Sequence, residues 1–256
     1  MHTDQRPPLA ATISPLKLPP REALGWVSSI GIRGVAVSAT DPRTRPRDFD
    51  RSARRDLVAV MQRFELRCAC IDCFVPSSHF LDPAQVDRVT AAAVDAIELA
   101  AEIASIEGHV GGGIVVLSAP AKPEGVACFA IDAIRASAEH HGVCVAIPAT
   151  DPASIASPFF VALDPAQILA NSGDPQTVAL AANGRIGAVR IVDLLRSGSR
   201  GPIHEPQESQ LDCRGFVAGC RAAGFAGDFV VDLRQWIEPE RGLLATLQRW
   251  RTEVDA

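Results

Sequence analysis

Short apolar runs rich in β-branched residues alternate with longer segments of helical periodicity along almost the whole chain. Such runs predict buried strands, and apolar positions spaced three and four residues apart predict amphipathic helices. The predicted strands are residues 9–13, 34–38, 67–73, 113–117, 143–147, 159–163, 188–192 and 228–233. The predicted helices are residues 21–30, 51–65, 83–105, 126–140, 174–182, 211–223 and 239–254. Only the connection at 149–158 is too short and too rich in proline for a normal helix.

This alternation predicts a parallel sheet, because each helix must return the chain to the end where the previous strand began. Eight strand–helix units within 256 residues favour a closed barrel over an open doubly wound sheet. A dinucleotide-binding open sheet would have a glycine-rich turn after its first strand, and residues 14–20 contain no glycine. The sequence therefore predicts an α/β fold, a parallel eight-stranded (β/α)8 TIM barrel, with residues 1–256 forming one domain.

Composition narrows the range of partners. Apolar residues make up 47% of the chain, which is enough for a large core, and the net charge of -5 argues against nucleic acid as a partner. No apolar run is long enough for a membrane helix, and the segment MHTDQRPPLAAT lacks the pattern of a signal peptide. We expect a cytoplasmic protein with reduced cysteines and without nucleic acid or membrane partners. The oligomeric state stays open.

Several segments resemble the xylose isomerase-like barrel family, which includes sugar phosphate isomerases and epimerases. They are ALGW at 23–26 with SIGIRGVAV at 29–37, LDP at 81–83 with AIELAAE at 96–102, RIGAVRIVD at 185–193, and GFAGDFVVD at 224–232. Together they extend over nearly the whole chain. The resemblance implies the barrel fold and a role in carbohydrate metabolism, with a small-molecule sugar or sugar phosphate as the partner.

The resemblance also implies a divalent metal, held by a Glu after strand five, an Asp after strand six, a His after strand seven and a Glu after strand eight. Both Glu residues exchange protons with the substrate. Here those positions fall on Pro148, Asp164, Arg190 and Asp232. Proline offers no ligand, and a guanidinium repels a metal ion.

Two arrangements are compatible with these residues. We expect no cofactor, with Arg190 in the place of the metal and bonded to Asp164 and Asp232. The alternative is a displaced Mn, Zn, Mg or Co ion on Asp164, Asp232 and a nearby histidine.

Two functions remain open at this point. In the first, the protein is an isomerase or epimerase in which Asp232 is the base, Asp164 binds substrate, and Arg190 stabilises an enediolate in place of a metal. In the second, the barrel is non-catalytic and binds a sugar, an anion or a protein partner. Pro148 and Arg190 favour the second, because they remove the two-carboxylate relay.

Further candidates for substrate binding lie at or beyond strand ends, where barrel enzymes place their active sites. His79 follows strand three and either contacts substrate or bonds to backbone. Gln167 stands where many relatives have a histidine. By contrast, His109 precedes strand four, so we interpret its glycine-rich segment as a turn. A polar stretch that also offers candidate groups contains His204, Glu205 and Glu208.

The loop after strand seven is a candidate phosphate-binding loop, since barrels often bind phosphate after strands seven and eight. It offers Ser197, Ser199 and Arg200. The segment after strand two adds positive charge at the same end through Arg43, Arg45 and Arg47. The alternative is that both are ordinary solvent-exposed loops.

Overall fold

The computed structural model describes residues 7–108, 112–203 and 209–254. Its strands are β1 (Leu9–Thr12), β2 (Gly34–Ser38), β3 (Arg67–Cys73), β4 (Ile114–Leu117), β5 (Cys144–Pro148), β6 (Phe160–Leu163), β7 (Ile186–Ile191), β8 (Asp193–Leu194), β9 (Arg200–Gly201) and β10 (Phe229–Val231). Strands β8 and β9 pair as an antiparallel hairpin, and the other eight close into a parallel barrel in which β10 lies between β7 and β1. The predicted (β/α)8 barrel is confirmed.

The helices surround the barrel in the predicted alternation. They are α1 (Pro20–Ser29), α2 (Arg51–Arg63), α3 (Val86–Glu107), α4 (Val126–His141), α5 (Pro165–Ala170), α6 (Pro175–Ala182), α7 (Cys213–Ala222) and α8 (Pro239–Glu253). Their buried apolar faces pack on the outer surface of the strands and form the larger hydrophobic core. No helix among the described residues combines the length and apolar character needed to cross a membrane.

Two elements differ from the sequence-based prediction. Helix α5 was not predicted, because its six residues are too few for a clear period; the side chain of Asp164 caps it by accepting a hydrogen bond from Gln167 N. The hairpin of β8 and β9 was also missed. The connection at 149–158 contains only the short 3-10 turn Pro152–Ser154, as its proline content predicted.

The interior of the barrel is lined by small side chains. One residue from each barrel strand meets the others at the centre, and five of the eight are alanine. They are Ala10, Ala36, Cys70, Val116, Ala146, Ala162, Ala188 and Val230. Because side chains alternate along a strand, the residue two positions later points into the barrel as well. That next layer, at the carboxyl ends, is mostly polar: Thr12, Ser38, Asp72, Ser118, Pro148, Asp164, Arg190 and Asp232.

A separate ion pair lies at the opposite end of the barrel. Arg67, at the start of β3, donates to both oxygens of Asp228, which precedes β10. Burial raises the pKa of Asp228, and the charge of Arg67 opposes that effect. The carboxyl-end layer, at the other end, faces the loops where barrels place their functional sites.

Close packing inside the barrel predicts that added volume destabilises it. A methyl group on Gly187 would lie 2.7 Å from Phe160 Cβ and 3.0 Å from Ala146 Cβ. We expect Gly187→Ala to lower the free energy of unfolding by about 1–3 kcal/mol, as measured by denaturant titration. Gly25→Ala, which adds a methyl to α1 near the ring of Phe64, should cost less, because alanine favours the helix. Equal stability of Gly187→Ala and the parent would contradict this packing.

Candidate functional site at the barrel mouth

A cavity of about 480 Å³ opens at the carboxyl ends of the strands. Val116 and Ala162 of the small interior layer form its floor. Three guanidinium groups line it, together with one carboxylate and several neutral hydrogen-bonding side chains. These residues are Arg190, Arg200, Arg234, Asp164, Ser77, Ser118, Gln167 and Gln235. The cavity is therefore built for a polar molecule.

Arg190 crosses the barrel interior and pairs with Asp72. β3 and β7 lie on opposite sides of the eight-stranded ring, and the guanidinium Nη2 donates to Asp72 Oδ1. Both side chains are almost wholly buried, at 2% and 4% exposure. Burial by itself would lower the pKa of Arg190, but the charges of Asp72 and Asp232 outweigh it and raise that pKa above its ordinary value.

The expectation that Arg190 bonds to Asp164 and Asp232 is wrong. The hairpin of β8 and β9 brings Arg200 between those two carboxylates. Its Nη1 lies 2.9 Å from Asp164 Oδ2, and its Nη2 lies 2.8 Å from Asp232 Oδ2. Asp164 and Asp232 follow β6 and β10, the strands that flank β7. Arg190 extends across the barrel to Asp72 instead, above the layer of small side chains.

Asp232 accepts hydrogen bonds from two arginines. It is completely buried, and its Oδ1 accepts from Arg234 N at 3.1 Å and from Arg234 Nε at 2.7 Å. Its Oδ2 accepts from Arg200 Nη2 at 2.8 Å and from Arg234 Nη2. Burial would raise the pKa of Asp232, but these bonds and the charges of Arg234, Arg190 and Arg200 lower it to about 2. Asp232 is consequently a weak base, which argues against the catalytic role expected from the sequence.

Asp164 is also engaged. Its Oδ1 accepts from Gln167 N at 3.1 Å, as the cap of α5, and from Arg200 Nη1 at 3.0 Å. It follows β6 and lines the cavity. A ligand that approaches Asp164 must therefore compete with both the helix cap and the guanidinium of Arg200.

Phe74 contacts two of the guanidinium groups. The centroid of its ring lies 3.4 Å from the Cζ of Arg234 and 5.5 Å from that of Arg190. Such contacts favour a cation over an aromatic face and hold the planar groups in fixed orientations.

The three arginines and the three aspartates balance in formal charge, yet Arg190 keeps two unused donors. Its Nε and Nη1 are buried and have no hydrogen-bond acceptor.

The four positions implied for a metal do not fit one. Pro148 has no donor atom, Arg190 is a cation, and the oxygens of Asp164 and Asp232 already accept from arginines. Within residues 7–108, 112–203 and 209–254, no three His, Cys, Asp or Glu side chains lie together as a metal site. A divalent ion on Asp164 and Asp232 would have to displace Arg200 and lie near Arg190 against charge repulsion.

Of the other residues that the sequence suggested for substrate binding, only some line the mouth cavity in the described part of the structure. Gln167 lines the cavity, whereas His79 lines a second cavity beside it. Ser197 and Ser199 form an exposed pair at the tip of the hairpin, with their hydroxyl oxygens 2.7 Å apart, and line neither cavity. The interpretation of His109 as part of a turn, and the candidates His204, Glu205 and Glu208, lie outside the described residues.

Sequence reasoning missed Phe74 and Arg234. Phe74 directly follows β3, and Arg234 comes two residues after Asp232 at the end of β10. Both positions satisfy the rule that residues after barrel strands form the site. The position of each residue after a strand was therefore a usable signal in the sequence, although neither residue is a metal-ligand type.

Three solved structures share this fold over nearly the whole length of both chains. A D-psicose 3-epimerase determined in the presence of D-fructose has a TM-score of 0.72 at 10% identity, covering 97% of this chain and 100% of that one. A xylose isomerase domain protein from Alicyclobacillus acidocaldarius has a TM-score of 0.68 at 14% identity, covering 96% and 98%. A sugar phosphate isomerase/epimerase from Parabacteroides distasonis has a TM-score of 0.67 at 10% identity, covering 100% and 97%.

The fold of this chain is thus that of the xylose isomerase-like TIM barrels. No family model matches the sequence, and no curated protein matches it. The similarity lies in the architecture, and the side chains at the mouth have to be interpreted from their own geometry.

The low pKa of Asp232 predicts an acid-sensitive fold. Because its pKa is lower in the folded than in the unfolded state, the carboxylate stabilises the fold above about pH 4, and this contribution of about 2 kcal/mol is lost as the pH falls toward 2. We expect Asp232→Asn to be less stable than the parent by roughly 3–5 kcal/mol at pH 7, since it leaves Arg234 and Arg200 without their carboxylate. The difference should shrink between pH 5 and pH 3, measured by urea unfolding. A constant difference over that range would contradict the assigned pKa.

The residues at the four positions implied for a metal predict weak or no metal binding. Chelator-treated protein, titrated with manganese, zinc and magnesium, should take up no stoichiometric ion, because Arg190 and Arg200 occupy the region with positive charge. The comparison variant is Arg190→His, which replaces a buried cation with a potential ligand. One equivalent of metal in the parent would contradict the prediction; metal in the variant alone would identify the guanidinium as the excluding group.

Proposed function

We propose that the barrel mouth binds a small molecule of the sugar class through Arg190, without a metal, and that the protein is a binding barrel rather than an isomerase. The observation that carries this proposal is a cavity lined by Arg190, in which the described carboxylates already accept from arginines. The Nε and Nη1 of Arg190 are buried beneath the cavity surface without an acceptor, so a ligand oxygen reaches them when the cavity lining moves.

Arg190 supports the ligand-binding part of the proposal. A buried N–H group without an acceptor costs about 1–3 kcal/mol, more where the group is charged, and an oxygen atom of a ligand would remove that cost. A carbonyl, hydroxyl or carboxylate oxygen is a suitable acceptor.

The uncharged polar side chains that line the mouth cavity support a ligand of the sugar class. Ser77, Ser118, Gln167 and Gln235 can each donate to and accept from hydroxyl groups. Among the solved structures of the same fold, the D-psicose 3-epimerase was determined with D-fructose present, which makes ketoses the first compounds to test.

The state of the carboxylates supports binding rather than catalysis. General acid–base catalysis works best when the pKa of the catalytic group lies near the operating pH, and that of Asp232 lies far below it. The second carboxylate of the family relay is replaced by Pro148. Of the described residues that line the cavity, none is a histidine, glutamate, lysine or cysteine.

A metal-free isomerase or epimerase is the second candidate function. Arg190 favours it, because a buried cation beside a carbonyl would stabilise an enediolate. In that case the base would be Asp164 rather than Asp232, since Asp164 is the one carboxylate among the described cavity-lining residues. Asp164 would first have to leave its bond with Arg200.

The proposal is tested by calorimetric titration with ketoses, aldoses and aldonic acids, alongside an NMR assay for their interconversion, all with chelator present. We expect saturable binding without turnover. Affinity should fall at least tenfold, or about 1.4 kcal/mol, in the double variant Arg190→Gln/Asp72→Asn, which replaces the guanidinium by a shorter neutral amide while keeping the buried charge balanced.

The matched control is the double variant Arg67→Gln/Asp228→Asn, which removes the ion pair at the opposite end of the barrel. It should bind like the parent. Turnover that depends on Asp164 would favour the second candidate instead. Binding that requires an added metal, or that survives in the Arg190 double variant, would refute the proposed site.

A further inference from the structure

A second cavity, of about 380 Å³, lies beside the mouth cavity, and Phe74 lines both. Its walls come from the segment after β2, the segment after β3 and the first half of α3, so it lies at the carboxyl ends of the strands, as the mouth does. Arg234 of the mouth packs on the Phe74 ring, with its Cζ 3.4 Å from the ring centroid. An aromatic side chain held by a mouth residue is therefore a wall common to the two cavities.

The second cavity has a substantial apolar wall. Eight of the 15 described residues that line it have apolar side chains. Phe74 and Val75 follow β3, while Val89, Ala91 and Ala92 lie on α3. Apolar walls with a few polar groups are typical of cavities that bind small organic molecules, and 380 Å³ lies within the usual range of about 300–1,000 Å³ for such cavities.

The charged groups around this cavity cancel when histidine is counted as neutral. Three arginines line it, and three carboxylates lie among or next to them. These residues are Arg45, Arg47 and Arg88, with Asp48, Asp95 and Glu98. Asp48 pairs with Arg45, and burial together with the charge of Glu98 raises the pKa of Asp95. Because the charges balance, the cavity has no excess charge with which to select an ion, and its apolar surface is what a ligand can use.

The arginines suit a flat apolar group rather than a charged one. The side chains of Arg47 and Arg88 have apolar stems that extend the apolar wall. A guanidinium also stacks on the face of an aromatic ring, as that of Arg234 does on Phe74. An aromatic ring bound here would contact Phe74 and these arginines, whereas an alkyl chain would gain burial alone.

We propose that the second cavity binds an aromatic ring attached to the sugar that occupies the mouth, which makes the ligand an aryl glycoside. This inference rests on the proposed function and adds the ligand class to it. Phe74, the wall common to both cavities, lies where the sugar and the ring would join. Burial of a ring in an apolar cavity adds affinity that a free sugar or a methyl glycoside lacks, since neither has apolar surface to fill this cavity.

The test is calorimetric titration of the full chain, with chelator present, using the methyl and phenyl glycosides of fructose and of glucose. We expect the phenyl glycoside of at least one of these sugars to bind about tenfold more tightly than its methyl glycoside. Ala92→Leu places a larger apolar group in the second cavity, so it should remove this advantage and leave the methyl glycoside unchanged. The matched control is Ala136→Leu, at an exposed position on α4 that lines neither cavity, and it should bind like the parent.

Val75→Asn is a second variant, which keeps the size of the side chain nearly constant and replaces apolar surface with an amide. It should weaken binding of the phenyl glycoside alone. A phenyl glycoside that binds no better than its methyl counterpart, or an advantage that persists in both variants, would overturn the inference. If methyl glycosides and ketoses still bind through Arg190 in that case, the proposed function survives and only the aryl site fails. If neither glycoside nor any free sugar binds, the proposed function fails, and the inference fails with it.

Discussion

The arrangement of side chains at the barrel mouth depends on the pairing of buried charges. Arg190, Arg200 and Arg234 meet Asp72, Asp164 and Asp232 in a region largely shielded from water, where an unpaired charge would cost several kcal/mol. Apart from Arg234 with Asp232, which lie two residues apart after β10, each pair connects different elements. Arg190 connects β7 with β3, and Arg200 connects the β8–β9 hairpin with the ends of both β6 and β10. The network therefore fixes the geometry of the mouth as well as its charge.

That pairing decides which chemistry the mouth can support. The carboxylates that could hold a cation or accept a proton already accept hydrogen bonds from guanidinium groups, and the low pKa of Asp232 follows from this. What remains is hydrogen-bond donor capacity on Arg190, whose Nε and Nη1 are buried without an acceptor and whose guanidinium lies near the ring of Phe74.

The fold was predictable from the sequence because hydrophobic periodicity is a local property. The eight barrel strands and seven of the helices follow from it, with boundaries within a few residues. Helix α5 and the β8–β9 hairpin were not predicted, since each is too short to show a hydrophobic period. Asp164, which caps α5, and Arg200, in the hairpin, bond to each other. The alternation that places Ala188 and Arg190 on one face was also readable from sequence.

The sequence by itself determined which residue types occupy the carboxyl ends of the strands, and so showed Pro148 and Arg190 at two of the four positions for which the family resemblance implies metal ligands. Only the tertiary structure decided which arginine pairs with which aspartate. Partner choice depends on distances across a closed ring: β3 and β7 are remote in sequence but face each other, and a hairpin inserts Arg200 between the neighbours of β7. Periodicity carries no information about such distances, because it describes one strand at a time.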